Sequence, residues 1–297
     1  MRNSALTYAT LLGLLWPGGA LAQEPLSAID WLSRTPATTL LIEPPVATSA
    51  TTPEINVRPL DAPGRDAVGL LPSHTTGLPD TLWQASRSQD LARRLAALPD
   101  NLLPVMQGLL YTMLLAEANP PQDAGTSDIL LTARIDRLIA LGALEPAAAL
   151  LERAGPATPD LFSRWFDVTL LMGQEDTACM ALTTQPYLAP DYRARVFCTA
   201  RTGDWTGAIT MMNSARALGL ITDSEDLLLA YFLDPELFEG EPALPVPPRP
   251  DPLTFRLFEA IGESLPTSSL PLAFAHADLR SNAGWKAQLE GAERLAR

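Results

Sequence analysis

The chain has 297 residues, 47% of them hydrophobic, and a net charge of −13 at pH 7. Such an acidic surface repels phosphate backbones and excludes generic nucleic-acid binding. Two histidines and two cysteines are too few for a zinc-type ligand set, and the glycine motifs G-x-x-x-x-G-K-[ST], G-x-G-x-x-G and G-x-S-x-G do not occur.

The N-terminus reads as an address. Arg2 supplies a positive charge, an apolar run extends from Ala5 to Trp16, and Pro17-Gly18-Gly19 break it. Ala20-Leu21-Ala22 then offers a small-residue cleavage site, so residues 1–22 are expected to be a cleaved secretory signal peptide. The run is too short to cross a bilayer, and no later stretch is long enough to span one. Lys286 is the only lysine among many arginines, a skew of GC-rich bacterial genomes. The expected destination is therefore the periplasm or the medium. Residues 23–79 carry eight prolines between Pro36 and Pro79, and no helical period survives them. They are expected to form a Pro/Thr-rich extended arm. Within it, Leu26, Ile29, Trp31 and Leu32 form a small apolar cluster, and Ile55–Leu60 has the pattern of a brief edge strand.

From residue 80 the punctuation becomes that of short helices, and the fold class is all-α. Ser88–Leu98 and Pro104–Ala118 have helix-forming composition, and Leu131, Ile135 and Leu138 mark one apolar face. Pro146, Pro159, Pro190 and Pro252 stand where helices begin, because a first-turn residue has no N–H bond to lose. Gly142, Gly155, Gly173, Gly203, Gly219 and Gly262 stand where helices should stop. Gly142, Gly173 and Gly203 recur at spacings of 31 and 30 residues. Each is followed five residues later by Ala147, Ala178 or Ala208, and preceded seven residues earlier by Ile135, Phe166 or Val196. A bulky first helix, a tight turn and a small residue opening the second helix form a stackable helix pair.

Over residues 128–219 this pattern resembles tetratricopeptide-like repeats, with a period shorter than that family's usual ~34 residues. The resemblance implies an α-solenoid over 80–241 whose concave face binds a protein or peptide. Through RIDRLIALGALEPAAALLERA and LPLAFAHADLRSNAGWKAQLEGAERLAR the chain is also similar to a family of exported alphaproteobacterial proteins. That likeness implies an envelope setting and supplies no catalytic residue. Residues 242–252 hold six prolines and read as a stiff linker, with 253–297 as a second helical segment. Trp285–Arg297 runs amphipathically without a polar closing helix, as if another chain or further repeats cover it.

Cys179 and Cys198 lie on neighbouring helices of successive repeats and are expected to form a disulfide in an oxidising compartment. A redox enzyme would want a C-x-x-C pair instead. His74 falls in the arm, and His276 lies two residues from Asp278, on a different side of a helix. Glu263-Ser264 superficially matches the acid of a peptidoglycan lyase but lacks the Gly-rich sequence that follows it there. Trp165, Phe166, Tyr192, Phe197, Trp205, Tyr231 and Phe232 fall at helical spacings and read mostly as core. Arg193, Arg195 and Arg201 cluster within an otherwise acidic chain and are the candidate partner contacts. No catalytic, cofactor or metal site is expected. The reading that results is a periplasmic helical-repeat scaffold binding a protein or peptide. Its rivals are a fragment of an envelope-acting enzyme and a purely structural assembly subunit.

Overall fold

A computed structural model describes residues 64–125, 127–280 and 284–296. The signal peptide, the apolar cluster near Trp31 and the Ile55–Leu60 strand lie outside the described residues. The described chain is helical, with one isolated bridge between Leu71 and Ala116. Its helices are α1 (Ser73–Thr76), α2 (Ser88–Ala96), α3 (Pro104–Leu115), α4 (Ile129–Ala140), α5 (Leu144–Ala154) and α6 (Pro159–Met172). There follow α7 (Glu175–Thr184), α8 (Tyr192–Arg201), α9 (Trp205–Ala217), α10 (Asp223–Leu233), α11 (Pro252–Ala260) and α12 (Trp285–Leu295). Short 3-10 turns include Arg65–Ala67, Pro186–Leu188 and the longer Leu272–Leu279. No helix among the described residues is long and apolar enough to cross a membrane.

The three recurring glycines make the same turn. Gly142, Gly173 and Gly203 have φ of 70°, 73° and 93°, in the left-handed region that side chains resist. Each donates to the carbonyl three residues back, and the next residue reaches the carbonyl five back: Ala143 to Leu138, Gln174 to Thr169, Asp204 to Thr199. These paired bonds satisfy the carbonyls that a helix end orphans. Ala147, Ala178 and Ala208 are fully buried, as are Ile135, Phe166 and Val196. From α4 to α10 each helix packs on the next. Pro159 and Pro252 open their helices as expected, whereas α8 begins at Tyr192 with Asp191 as its cap, leaving Pro190 outside.

Helix α6 is the centre. Leu161, Phe162, Trp165, Phe166, Val168, Leu170 and Leu171 are all buried, which an amphipathic surface helix would not show. It is covered by α4, α5 and α7, and again by α11 and Leu272–Leu279. Residues 253–280, expected as a segment beyond a linker, therefore return onto the middle of the chain. Phe255 of α11 meets Phe274 edge-on at 5.2 Å. Helix α12 packs on Leu272–Leu279, where Gly291 is small enough to sit against Asp278.

Residues 66–71, assigned by the prolines around them to the extended arm, also pack on the core, whereas α1 beyond them holds no buried residue. Arg134 of α4 is fully buried and needs acceptors. It donates to the carbonyls of Leu114 and Val68 at 2.7 Å, Ala116 at 3.0 Å and Asp66 at 3.4 Å. The Asp66 carboxylate caps α4 by accepting from the Leu131 N–H at 2.7 Å. An irregular strand of chain is held here because a buried guanidinium requires its carbonyls.

Cys179 and Cys198 are bonded, with Cα atoms 4.9 Å apart, stapling α7 to α8. In the chain-entropy model such a loop closure stabilises by about 3 kcal/mol. Beside it, the buried Glu175 at the start of α7 meets Arg256 at 2.7 Å and Arg201 at 3.7 Å. Arg256 continues to Glu259 at 2.7 Å, and Glu259 to Arg280 at 2.8 Å. This ionic chain ties the returning segment to α7 and α8.

Candidate functional site

The N-termini of α8, α10 and α11 converge, and each is closed by its own oxygen ligand. The Asp191 side chain accepts from the Ala194 N–H at 2.8 Å, and Asp251 from the Thr254 N–H at 2.7 Å. Thr222 and Glu225 form a reciprocal capping box, with the Thr222 N–H donating to Glu225 at 2.8 Å. Such caps occupy donors that a helix start leaves free, and carboxylates there also meet the positive end of the helix dipole.

Arg193 joins the three caps. Its guanidinium lies 2.5 Å from Asp191, 3.0 Å from Asp251 and 3.1 Å from Glu225, and it donates to the Thr254 hydroxyl at 3.2 Å. Burial works against its charge, but the surrounding carboxylates outweigh burial and hold it above the ordinary guanidinium value. Asp251 is held below the usual carboxylate range, because the Thr254 N–H and Arg193 outweigh its burial. A further carboxylate, Asp167 of α6, lies behind the cluster. Burial first, then the charges of Asp251 and Asp191, push it up to about 7 against the pull of Arg164 and Arg193.

Beside this cluster opens a cleft of about 300 Å³. Leu227 and Leu228 of α10 and Phe258 of α11 supply apolar walls, and Leu244 and Pro247 of the Pro-rich stretch close the other side. Glu225, Asp251 and Arg193 line it as well, and Arg249 stands exposed among the lining residues. Among the described residues no carboxylate pairs with Arg249. The arrangement is concave and mostly apolar, with a few charged groups converging, which is the composition of a binding site.

Of the three arginines singled out in the sequence, only Arg193 lines this cleft, and its charge is shared among internal carboxylates. Arg195 lies over the Tyr192 ring, 5.2 Å from its centroid, beside a small hollow next to the disulfide. Arg201 pairs with Asp176 at 2.6 Å. The three do not form one patch, because positions two apart point to different sides of a helix and positions eight apart are separated by about 12 Å along its axis. Sequence reasoning passed over Glu225, Asp251, Asp191 and Asp167. The T-x-x-E pattern at Thr222–Glu225 and the Asp before Pro252 were available as cap signals, but nothing local shows that the caps meet.

The other candidates separate. His276 is largely buried and its Nε2 donates to the Gly142 carbonyl at 2.6 Å, while His74 is exposed on α1. Glu263 and Ser264 are exposed just beyond α11. Trp165, Phe166 and Phe197 are buried, Trp205 is half exposed against Phe232, and Tyr231 stacks on Phe238. No group of three His, Cys, Asp or Glu residues suited to a metal ion occurs among the described residues. No protein-family model, curated protein or solved structure matches this chain.

Proposed function

We propose that this chain is an exported scaffold of tetratricopeptide-like helix pairs, stacked as a short α-solenoid, that holds a protein or peptide partner in the bacterial cell envelope. The observation that carries the reading is the open cleft between α10, α11 and the Pro-rich stretch. Its walls are apolar, its floor is charged, and it is built on helix termini fixed by caps and ion pairs. Rigid elements that present a concave, mixed surface suit recognition, since little order must be lost on binding. The recurring Gly-to-Ala helix pairs favour the solenoid, and the Cys179–Cys198 bond favours an oxidising compartment outside the cytoplasm.

A photocrosslinking residue placed at Leu227, an exposed cleft wall, tests the reading when the full chain is expressed in its native envelope. A discrete crosslinked species is expected from position 227 and none from position 218, where Leu218 is more exposed but lines no part of the cleft. Equal labelling at both positions, or none at 227, would sink it.

A further inference from the structure

We infer that the cleft between α10, α11 and Leu244–Pro250 is a receptor for a basic side chain, an arginine or lysine carried on an extended segment of the partner. The inference deepens the partner-binding reading and rests on it. Three observations converge. First, Arg193 places one positive charge among Asp191, Glu225 and Asp251, so the cluster keeps a negative excess even before Asp167 is counted. Second, Glu225 and Asp251 still have bonding capacity. Glu225 places one oxygen on Arg193 and the other on the Thr222 N–H and hydroxyl; Asp251 places one on Arg193 and the other on the Thr254 N–H. A carboxylate offers about four lone-pair sites, and both side chains remain partly open to solvent, 31% and 45%. Third, the Pro-rich wall is poor in donors. Pro245, Pro247, Pro248 and Pro250 have no N–H, and no hydrogen bond among the described residues engages the main-chain carbonyls of Leu244–Pro250. A site rich in acceptors and lined with hydrocarbon fits a cation on an apolar stem, which buries its methylenes and presents its donors.

Arg249 is the countervailing group. It is exposed and has no ion-pair partner among the described residues, and an acidic ligand would seek it. That makes it the discriminating position, because its removal moves the two ligand classes in opposite directions.

The test uses the full mature chain and capped pentapeptides with apolar flanks and a central arginine, lysine, citrulline or glutamate, titrated by calorimetry. Citrulline keeps the arginine shape without its charge. The arginine and lysine peptides are expected to bind about tenfold more tightly than the citrulline peptide, the range of a charge-assisted bond. Binding should weaken with added salt. Glu225→Gln keeps an acceptor for the reciprocal cap and should lower arginine-peptide affinity several-fold. Leu227→Ser trims an exposed wall and should also lower it, while Arg249→Ala should raise it. The inference is overturned if arginine and citrulline peptides bind alike, if the glutamate peptide binds best and Arg249→Ala abolishes that binding, or if neither cationic peptide saturates. It is likewise overturned if Glu225→Gln and Leu227→Ser, both folded by circular dichroism, leave arginine-peptide binding unchanged. Should the crosslink at position 227 persist while arginine peptide fails to compete with it, the partner site stands and the basic-side-chain assignment falls. Should the crosslink be absent as well, both fall.

Discussion

Arg134, fully buried, and Asp167, half-buried, show how differently the fold treats charges of opposite sign. Arg134 keeps its proton, although burial lowers it to about 10 against the pull of Asp66. It is retained because its guanidinium joins main-chain carbonyls of two separate stretches, residues 66–68 and 114–116. Arg134→Met fits the volume but leaves those carbonyls without donors, so it should cost about 3–5 kcal/mol, as breaking a buried polar network does. Urea denaturation measures it, and a loss below about 1 kcal/mol would mean that water replaces the guanidinium. Asp167 has no hydrogen bond in the described residues and two like charges nearby, and its carboxyl is pushed up to about 7 by burial and by Asp251 and Asp191. The unfolded chain ionises this group near its ordinary value of 3.8. Well below pH 3.8 both states are protonated and Asp167 is neutral for stability; as pH rises through 3.8 toward about 7 the unfolded state alone is ionised, and stability falls. Above that window the penalty is complete. Asp167→Asn removes the penalty without removing a bond. Its melting temperature should exceed wild type by several degrees at about pH 8, and the difference should shrink as pH falls and close only below about pH 3. A difference that does not vary with pH would place the cause in packing instead.

Among the elements, the turns within the helix pairs were the most legible part of the sequence, because glycine is nearly alone in tolerating a left-handed φ. Gly142, Gly173 and Gly203 are caps of one hydrogen-bond pattern, and the alanines five residues on are buried where helices approach. What a turn touches was not legible. A Cβ on Gly203 would meet open space, whereas one on Gly142 would lie 2.7 Å from Leu295 of α12 and 3.1 Å from Leu272. Gly203→Ala should therefore cost the backbone strain alone, about 1 kcal/mol. Gly142→Ala should carry the same strain and also displace the end of α12. Hydrogen exchange distinguishes them: amides of α12 should lose protection in Gly142→Ala and keep it in Gly203→Ala. Equal protection in both variants would show that Leu295 moves aside freely. The caps of α8, α10 and α11 tell the same story. Each has a local signature, but their meeting at Arg193 follows from how α10 and α11 pack, which a single sequence does not display.

For the whole molecule, the question is where the cooperative unit ends. Composition places a boundary at the prolines of 242–252, and proline does prevent helix there, but it does not prevent the chain beyond from packing back. The signals for that return are long-range. Arg256 finds Glu175, 81 residues away, and both would be read locally as surface charges. Phe255, Leu257, Phe258 and Phe274 would be read as the core of a separate segment, yet α11 and Leu272–Leu279 cover α6. If the array up to α10 were self-sufficient, a chain ending at Glu241 would melt as sharply as the full chain. The packing argues otherwise. Truncation would bare the apolar side chains of α6 that α11 and Leu272–Leu279 cover, since Phe162, Phe166, Val168, Leu170 and Leu171 are all buried in the full chain. It would also strip Glu175, 1% exposed, of its closest counter-ion, leaving the charge to Arg201 at 3.7 Å. Uncompensated buried charge and exposed apolar surface both oppose folding, while the Cys179–Cys198 staple limits how far the remnant can unravel. The truncated chain is therefore expected to keep helical circular dichroism, bind a hydrophobic dye and melt over a broad range, as a compact state without fixed packing does. A sharp transition within a few degrees of the full chain, with no dye binding, would instead make residues up to 241 an independent domain and the returning segment an accessory laid upon it.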